Sequence, residues 1–124
     1  MLEKEELSEN ILLAAKVIEF FQNDRHGNLK MFLLRYGLDG HLSLRTLECV
    51  CSSFGCTKEN VRQAIKNMWK RAFHKFKLEF ENINISSPNK CHDWFKYVLT
   101  FIVFPYERAG ESDFLNNLCL KHFS

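Results

Sequence analysis

Residues 47–66, LECVCSSFGCTKENVRQAIK, place one glycine between two stretches that have the apolar spacing of a helix. Gly55 can adopt the left-handed backbone conformation that a tight turn needs, and the hydroxyl of Thr57 can cap the helix that follows. Cys51 is a small residue in the middle of the first stretch, where a second helix could cross at close range. The apolar positions that would join the two helices are Val50, Phe54, Cys56, Val61 and Ala64. This spacing predicts a helix-turn-helix.

The rest of the chain also has helical apolar spacing. Helices are expected at 5–23, 29–36, 44–54 and 58–78, with two further helical pieces near 91–104 and 112–122. Polar residues, Gly and Pro predict loops at 23–28, 37–43 and 82–89, and another between Pro105 and Gly110. We therefore predict an all-α helical bundle that forms a single domain over residues 1–124. Its helix-turn-helix core would cover about 28–78, and a C-terminal helical extension would cover about 82–124.

Positive charge is concentrated on the second helix of the predicted helix-turn-helix. The chain has 124 residues and a formal net charge of +2, but residues 57–78 hold seven basic residues and one acidic residue. The basic residues are Lys58, Arg62, Lys66, Lys70, Arg71, Lys75 and Lys77. The remainder of the chain holds more acids than bases. This division indicates an anion-binding stripe, although the solvated face of an ordinary helix would show the same composition.

The outward residues at the start of that helix are polar and mostly long, as reading base edges and phosphates in the major groove of DNA requires. These residues are Lys58, Glu59, Asn60, Arg62 and Gln63. The helix-turn-helix pattern and the basic stripe together favour a protein that binds duplex DNA.

Two segments, LLRYGLDG (33–40) and TLECVCSSFGCTKENVRQ (46–63), resemble the fourth conserved region of primary bacterial sigma factors. The resemblance covers about residues 28–76. It implies recognition of a promoter element by the helix-turn-helix. It also implies docking on the flap of the RNA polymerase β subunit.

The resemblance assigns roles to individual residues. Lys58, Glu59, Arg62 and Gln63 match base-reading and phosphate-binding positions, and Arg35 and Thr46 match positions that contact the DNA backbone. The predicted DNA-binding set is completed by Thr57, Asn60, Lys66 and Lys70 on the same helix. Leu33, Leu34 and Tyr36 match a helix that helps to form the surface for the polymerase flap.

The chain also departs from the sigma pattern. Lys58 and Asn60 stand where the family usually has arginine, and lysine cannot form the two-pronged contact that arginine makes with guanine. Cys51, Ala64 and Lys66 replace the usual Gly, Ile and Glu. A different sequence preference is therefore expected. Because only about 28 residues precede the motif, we do not expect a complete sigma factor.

Two other functions remain open from the sequence. The segments RQAIKNMWKRAF and SSPNKCHDWF are similar to parts of the effector domain of the sporulation master response regulator, which would also bind DNA. Alternatively, the chain could be a protein-interaction module that binds RNA polymerase or a sigma factor without DNA.

Several classes of function are not expected. The sequence shows no pattern of catalytic residues, so we predict that the protein is not an enzyme, and it shows no cofactor or small-molecule site. Five cysteines without a CxxC pair or signal peptide predict free thiols, no metal and a cytoplasmic location. The longest apolar stretch, 94–104, is too short to span a bilayer. Trp69 and Trp94 are expected to be buried rather than exposed for stacking on bases.

Overall fold

The chain folds into helices that pack around an aromatic core, and the structure, a computed structural model, describes residues 4–23 and 28–123. The α-helices are α1 (Lys4–Gln22), α2 (Leu29–Arg35), α3 (Leu47–Phe54), α4 (Lys58–Lys75), α5 (Lys77–Asn82), α6 (Cys91–Val98), α7 (Phe104–Arg108) and α8 (Phe114–Leu118). A π-helical turn (Leu99–Val103) joins α6 to α7, and 3-10 turns lie at Pro88–Lys90 and Leu120–His122. The predicted all-α class is confirmed, since the described residues contain no strand. Most of the loop predicted at 23–28 lies outside the described residues.

Four aromatic rings join the helix-turn-helix to the C-terminal segment. Trp69 of α4 lies with its ring centre 5.4 Å from that of Phe32 in α2 and 5.2 Å from that of Phe95 in α6. Tyr36, just after α2, lies 4.9 Å from Phe95 by the same measure. Such tilted and edge-to-face pairs add to the stabilisation from burial. The C-terminal segment therefore shares the hydrophobic core of the helix-turn-helix. Trp69 and Trp94 are both buried, as predicted.

The helix α3 begins at Leu47, three residues later than predicted. The backbone N–H of Arg45 donates to the carbonyl of Arg35 at 3.0 Å, so this part of the chain is tied to the end of α2. The guanidinium of Arg45 also donates to Asp39 at 2.8 Å. These long-range contacts hold residue 45 outside the helix. Thr46 then caps α3.

The helix α4 ends at Lys75, where a single helix was predicted to continue to residue 78. Phe76 leaves the helical conformation, with φ −113° and ψ 35°, and α5 begins directly after it. The ring of Phe76 packs edge-on against the ring of Phe20 in α1, with ring centres 5.9 Å apart. The break at Phe76 lies between Phe73 and Phe80, whose rings stack 5.8 Å apart. Burial of these rings therefore outweighs helix continuity at this point.

The prediction of a loop beginning at Pro105 is wrong. Helical conformation continues from α6 through the π-helical turn into α7, and Pro105 lies in the first turn of α7. The N–H of Phe104 bonds to the carbonyl of Leu99, five residues earlier. Proline has no N–H to donate, and the wider π-helical turn before it accommodates the missing bond. The loop begins instead after α7, where Gly110 has φ 72°.

Side-chain hydrogen bonds also tie the C-terminal segment to the rest of the chain. Trp94 donates to Asn10 at 2.7 Å, Gln22 donates to the carbonyl of Leu118 at 2.8 Å, and Arg108 donates to the carbonyl of Leu42 at 2.7 Å. The last predicted helix, 112–122, is shorter than expected and is divided into α8 and a 3-10 turn.

Nothing in the described ranges, 4–23 and 28–123, is both long and apolar enough to serve as a bilayer-spanning helix. All five cysteines lie in these ranges and carry free thiols.

Candidate nucleic-acid interface

The predicted helix-turn-helix is formed by α3, a three-residue turn and α4. Thr46 caps α3 by accepting from the N–H of Cys49 at 3.1 Å, and Thr57 caps α4 by accepting from the N–H of Asn60 at 3.1 Å. Gly55 ends α3 in the left-handed conformation, with φ 63°. Thr46 therefore specifies the start of α3, Gly55 specifies its end, and Thr57 specifies the start of α4.

Most of the residues predicted to lock the two helices together do so. Val50 and Val61 are fully buried. Cys51, predicted as the small residue where the helices cross, is nine-tenths buried. Phe54 is an exception, because 40% of its surface is exposed. It is the last residue of α3, and Gly55 ends the helix directly after it, so no further helical turn covers its ring. Cys56 and Ala64, the remaining two, are half-buried.

The outward face of α4 carries seven of the predicted DNA-binding residues. Lys58, Glu59, Asn60, Arg62, Gln63, Lys66 and Lys70 are all exposed. The inward face carries Val61, Ile65, Met68, Trp69 and Ala72, which are all buried. The core therefore fixes the rotation of α4, and the polar row faces outward.

Some side chains of this row form contacts within the helix, and Gln63 donates to Oδ1 of Asn67 at 3.3 Å. The guanidinium of Arg62 forms a two-pronged ion pair with the carboxylate of Glu59, one turn earlier, with Nε 2.9 Å from Oε2. The hydrogen bond lowers the pKa of Glu59 and raises that of Arg62. To contact a base, Arg62 must either break its ion pair with Glu59 or remain paired with Glu59 while it binds.

A shallow depression of about 480 Å³ lies beside the start of α4. It brings together Arg35 from α2, Thr46 before α3 and Lys58 from α4, which are all predicted DNA-binding residues. These residues are well separated in the sequence. Their convergence produces a positively charged surface next to the outward face of α4.

Three further residues with basic side chains line the depression and were missed by the sequence analysis: Arg45, His92 and Lys96. Leu44, Leu47 and the acidic Glu48 complete its lining. His92 and Lys96 are four residues apart, so they share one face of α6, while Trp94, Phe95 and Val98 bury the other. The sequence shows the spacing of His92 and Lys96, but it does not show how α6 packs against the helix-turn-helix.

Arg35 and Arg45 hold the end of α2 against the start of α3. Arg35 donates to the carbonyl of Arg45, and Arg45 donates to the carbonyl of Leu34 at 3.1 Å as well as to Asp39. Burial alone would raise the pKa of Asp39, but the hydrogen bond and charge of Arg45 hold it below its usual value. Arg35 is thus a structural residue as well as part of the basic surface.

A chain of hydrogen bonds runs from the core to the basic surface. The indole N–H of Trp69 donates to the hydroxyl oxygen of Tyr36 at 2.8 Å, and that hydroxyl lies 2.7 Å from Nδ1 of His92. Since an indole can only donate, donation from the Tyr36 hydroxyl to Nδ1 of His92 is the arrangement that satisfies all three groups. Nδ1 then accepts this bond, and the imidazole carries its proton on Nε2. Burial, together with the nearby charge of Arg35, lowers the pKa of His92 and favours this neutral form.

The predicted partner surface in residues 29–40 requires correction. Leu33 and Tyr36 are fully buried, and Leu34 is half-buried. The apolar residues Leu33 and Tyr36 are used by the core, because Tyr36 packs on Phe32 and Phe95. In this structure, neither Leu33 nor Tyr36 can contact a partner.

The comparisons with protein-family models, curated proteins and solved structures found no match to this chain.

Proposed function

We propose that this protein binds duplex DNA, with α4 as the helix that enters the major groove. The observation that carries the proposal is the outward row of polar residues on α4, which is the second helix of a capped helix-turn-helix. The 18 residues of α4 span about 27 Å. A major groove about 12 Å wide admits one helix.

Two groups of contacts follow from the arrangement. Arg62 and Gln63 lie in the second turn of α4, where a recognition helix reaches base edges. Arg35, Thr46 and Lys58 surround the depression beside the start of α4, where a phosphate backbone would pass. Phosphate contacts would set the position of the protein, and base contacts would set its sequence preference.

Regulation of transcription is the role we propose for this DNA binding, since the quoted motifs resemble the fourth region of sigma factors. Docking on the polymerase flap has weaker support, because Leu33 and Tyr36 are buried. A response-regulator type of effector would use the same helix. A module that binds polymerase without DNA is the alternative from a different class.

The test is binding to a random-sequence duplex over a series of salt concentrations. We expect binding at low salt, with log affinity falling linearly with log salt at a slope of about −0.9 for each phosphate contacted. Lys58→Ala should make the slope shallower by about one unit. Lys30→Ala removes the same charge from α2, outside the proposed face, and is the matched control. If the parent protein shows no salt-dependent binding yet is retained on immobilised RNA polymerase, the interaction module replaces our proposal.

A further inference from the structure

We propose that a cleft between α4 and the C-terminal segment binds a small organic anion with an apolar body, and that this ligand competes with DNA for Arg62 and Lys66. The competition rests on the proposed function, whereas the ligand site does not. The cleft has a volume of about 300 Å³. This volume is at the lower end of the range for small-molecule sites.

The apolar part of the cleft comes from three separate elements. Leu47 lies on α3, Ile65 and Trp69 lie on α4, and Pro88 begins the 3-10 turn before α6. Trp69 is 97% buried, and a hydrogen bond to Tyr36 fixes its ring. Leu47 and Pro88 are half-buried and give the cleft its accessible apolar surface, which suits the apolar part of an organic ligand.

The polar part of the cleft is cationic. Arg35, Arg62 and Lys66 line it, and no acidic residue is among the described residues that do. Glu59 reaches the cleft only through its ion pair with Arg62. Guanidinium and ammonium groups bind carboxylate or phosphate by charge-assisted hydrogen bonds. The charge of the cleft therefore selects an anion.

His92 supplies a neutral donor in the same cleft. The Nδ1 atom of His92 is hydrogen-bonded to the hydroxyl of Tyr36. The remaining polar group of the imidazole that could bind a ligand is therefore the Nε2–H. The Trp69–Tyr36–His92 chain sets this tautomer before any ligand arrives. A site that combines fixed donors with an apolar wall orients a ligand as well as attracting it.

Arg62 and Lys66 belong both to the cleft and to the outward row of α4. A ligand anion that holds these side chains withdraws them from DNA. By thermodynamic linkage, DNA would weaken ligand binding by the same factor. The cleft would therefore make DNA binding responsive to a metabolite.

The test uses the two indole N–H signals in the ¹⁵N spectrum, since the chain has two tryptophans. The probes are 5′-AMP, which carries a phosphate on a purine nucleoside, and salicylate, which carries a carboxylate on a benzene ring. At least one probe should shift the Trp69 signal with a Kd below about 1 mM. The Trp94 signal should stay in place, because its N–H bonds to Asn10 and Trp94 does not line the cleft. The tighter probe identifies the source of the anion as a nucleotide or an aromatic acid.

Lys66→Gln should weaken the better probe at least fivefold, as expected when a charged hydrogen bond is lost. Lys77→Gln, which removes the same charge from α5, should leave the affinity unchanged. Adenosine and inorganic phosphate should each bind at least tenfold more weakly than 5′-AMP. The site is overturned if neither probe shifts Trp69, if inorganic phosphate alone matches 5′-AMP, or if Lys66→Gln has no effect.

The competition is tested separately. A saturating concentration of the better probe should weaken duplex binding at least threefold. Unchanged duplex affinity at saturation would overturn the competition. A chain that shifts its Trp69 signal but binds no duplex would contradict the proposed function and leave the ligand site supported.

Discussion

The hydroxyl of Tyr36 and Nδ1 of His92 lie 2.7 Å apart and connect the end of α2 to α6. Trp69 donates to the same hydroxyl, which fixes the direction of the Tyr36 proton. A proton on Nδ1 of His92 would oppose the proton of Tyr36. In this direction the hydrogen bond requires a neutral His92, and it is one of the bonds that hold the C-terminal segment on the helix-turn-helix. Burial also raises the pKa of Tyr36 well above its usual value, so the phenol stays protonated.

This relationship predicts that the fold weakens in mild acid. The pKa of His92 is lowered from 6.5 by burial and then by the charge of Arg35 and Lys96, against the opposing charge of Asp93. Just below pH 6.5, the unfolded chain binds a proton that the folded chain does not, so stability falls as the pH falls. The stability is recovered as the pH rises through 6.5 and the unfolded chain also loses this proton. We expect the melting temperature to be about 2–4 °C lower at about pH 5.5 than at about pH 7.5.

The control for the pH effect is His92→Asn. The amide oxygen of asparagine can accept from Tyr36 in place of Nδ1, but it does not titrate. This variant should therefore lose much less stability over the same pH interval. An equal loss in parent and variant would assign the effect to other groups.

Two glycines with similar backbone angles should respond differently to substitution. Gly37 has φ 71°, and a Cβ there would lie against the carbonyl oxygen of Ser43 and 2.7 Å from its carbonyl carbon. Because these neighbours are backbone atoms, Gly37→Ala should cost about 3 kcal/mol. Gly55 has φ 63°, but a Cβ added to Gly55 would have no atom within 4 Å. Gly55→Asn should cost under about 1 kcal/mol, since asparagine tolerates this conformation.

The measurement is the midpoint of urea unfolding. Gly55→Val serves as the second control, because a β-branched residue resists positive φ even where space is open. The urea midpoint of Gly55→Val should lie between the midpoints of Gly37→Ala and Gly55→Asn. If Gly37→Ala and Gly55→Asn unfold at the same urea concentration, the contact between Gly37 and Ser43 does not determine the difference.

The sequence predicted best where local chemistry decides the structure. The caps at Thr46 and Thr57 and the turn at Gly55 depend on neighbouring residues alone, so they were predictable. Phe76 and Pro105 were misassigned because packing of rings and a π-helical turn override the local preference. Tyr36 was assigned to a surface because an apolar run does not reveal what covers it.

The basic surface could be predicted only in part, for the same reason. Lys58 and Lys66 follow from the periodicity of one helix, so their outward direction was correct. His92 and Lys96 come from α6, whose position against α4 depends on the rings of Trp69 and Phe95. A single sequence does not reveal such long-range packing.

Reactivity of the cysteines should report on opening of this packing. Cys49 is exposed, whereas Cys91 and Cys119 are fully buried, and burial raises the pKa of each of these two thiols to about 12. A disulfide reagent should therefore label Cys49 first and should label Cys91 and Cys119 only when the core opens. Peptide mapping after brief labelling checks this order. Rapid labelling of Cys91 under native conditions would show that α6 separates readily from the helix-turn-helix.

Arg62 and Lys70 should contribute to DNA binding in different ways. Arg62 lies in the second turn of α4, so Arg62→Ala should weaken a preferred duplex about tenfold and flatten the difference from a scrambled one. Lys70 lies two turns further on, where phosphate is within reach, so Lys70→Ala should weaken all duplexes about equally and reduce the salt slope by about one unit. Both residues are exposed, and the melting temperature should not change. If Arg62→Ala binds both duplexes as the parent does, α4 does not read bases.

The ion pair between Glu59 and Arg62 should restrain DNA binding in the free protein. Glu59 carries a negative charge on the face that would approach phosphates, and it holds the guanidinium that would read a base. Glu59→Gln should therefore raise duplex affinity about threefold to tenfold at low salt, while melting changes little because exposed ion pairs stabilise weakly. Part of the gain comes from release of Arg62, so it should be smaller when Glu59→Gln is made on the Arg62→Ala background. Affinities of the parent, both single variants and the double variant form the cycle that measures this coupling. Equal gains on the two backgrounds would mean that Glu59 acts through its charge alone, and a loss of affinity in Glu59→Gln would mean that the carboxylate itself contacts DNA.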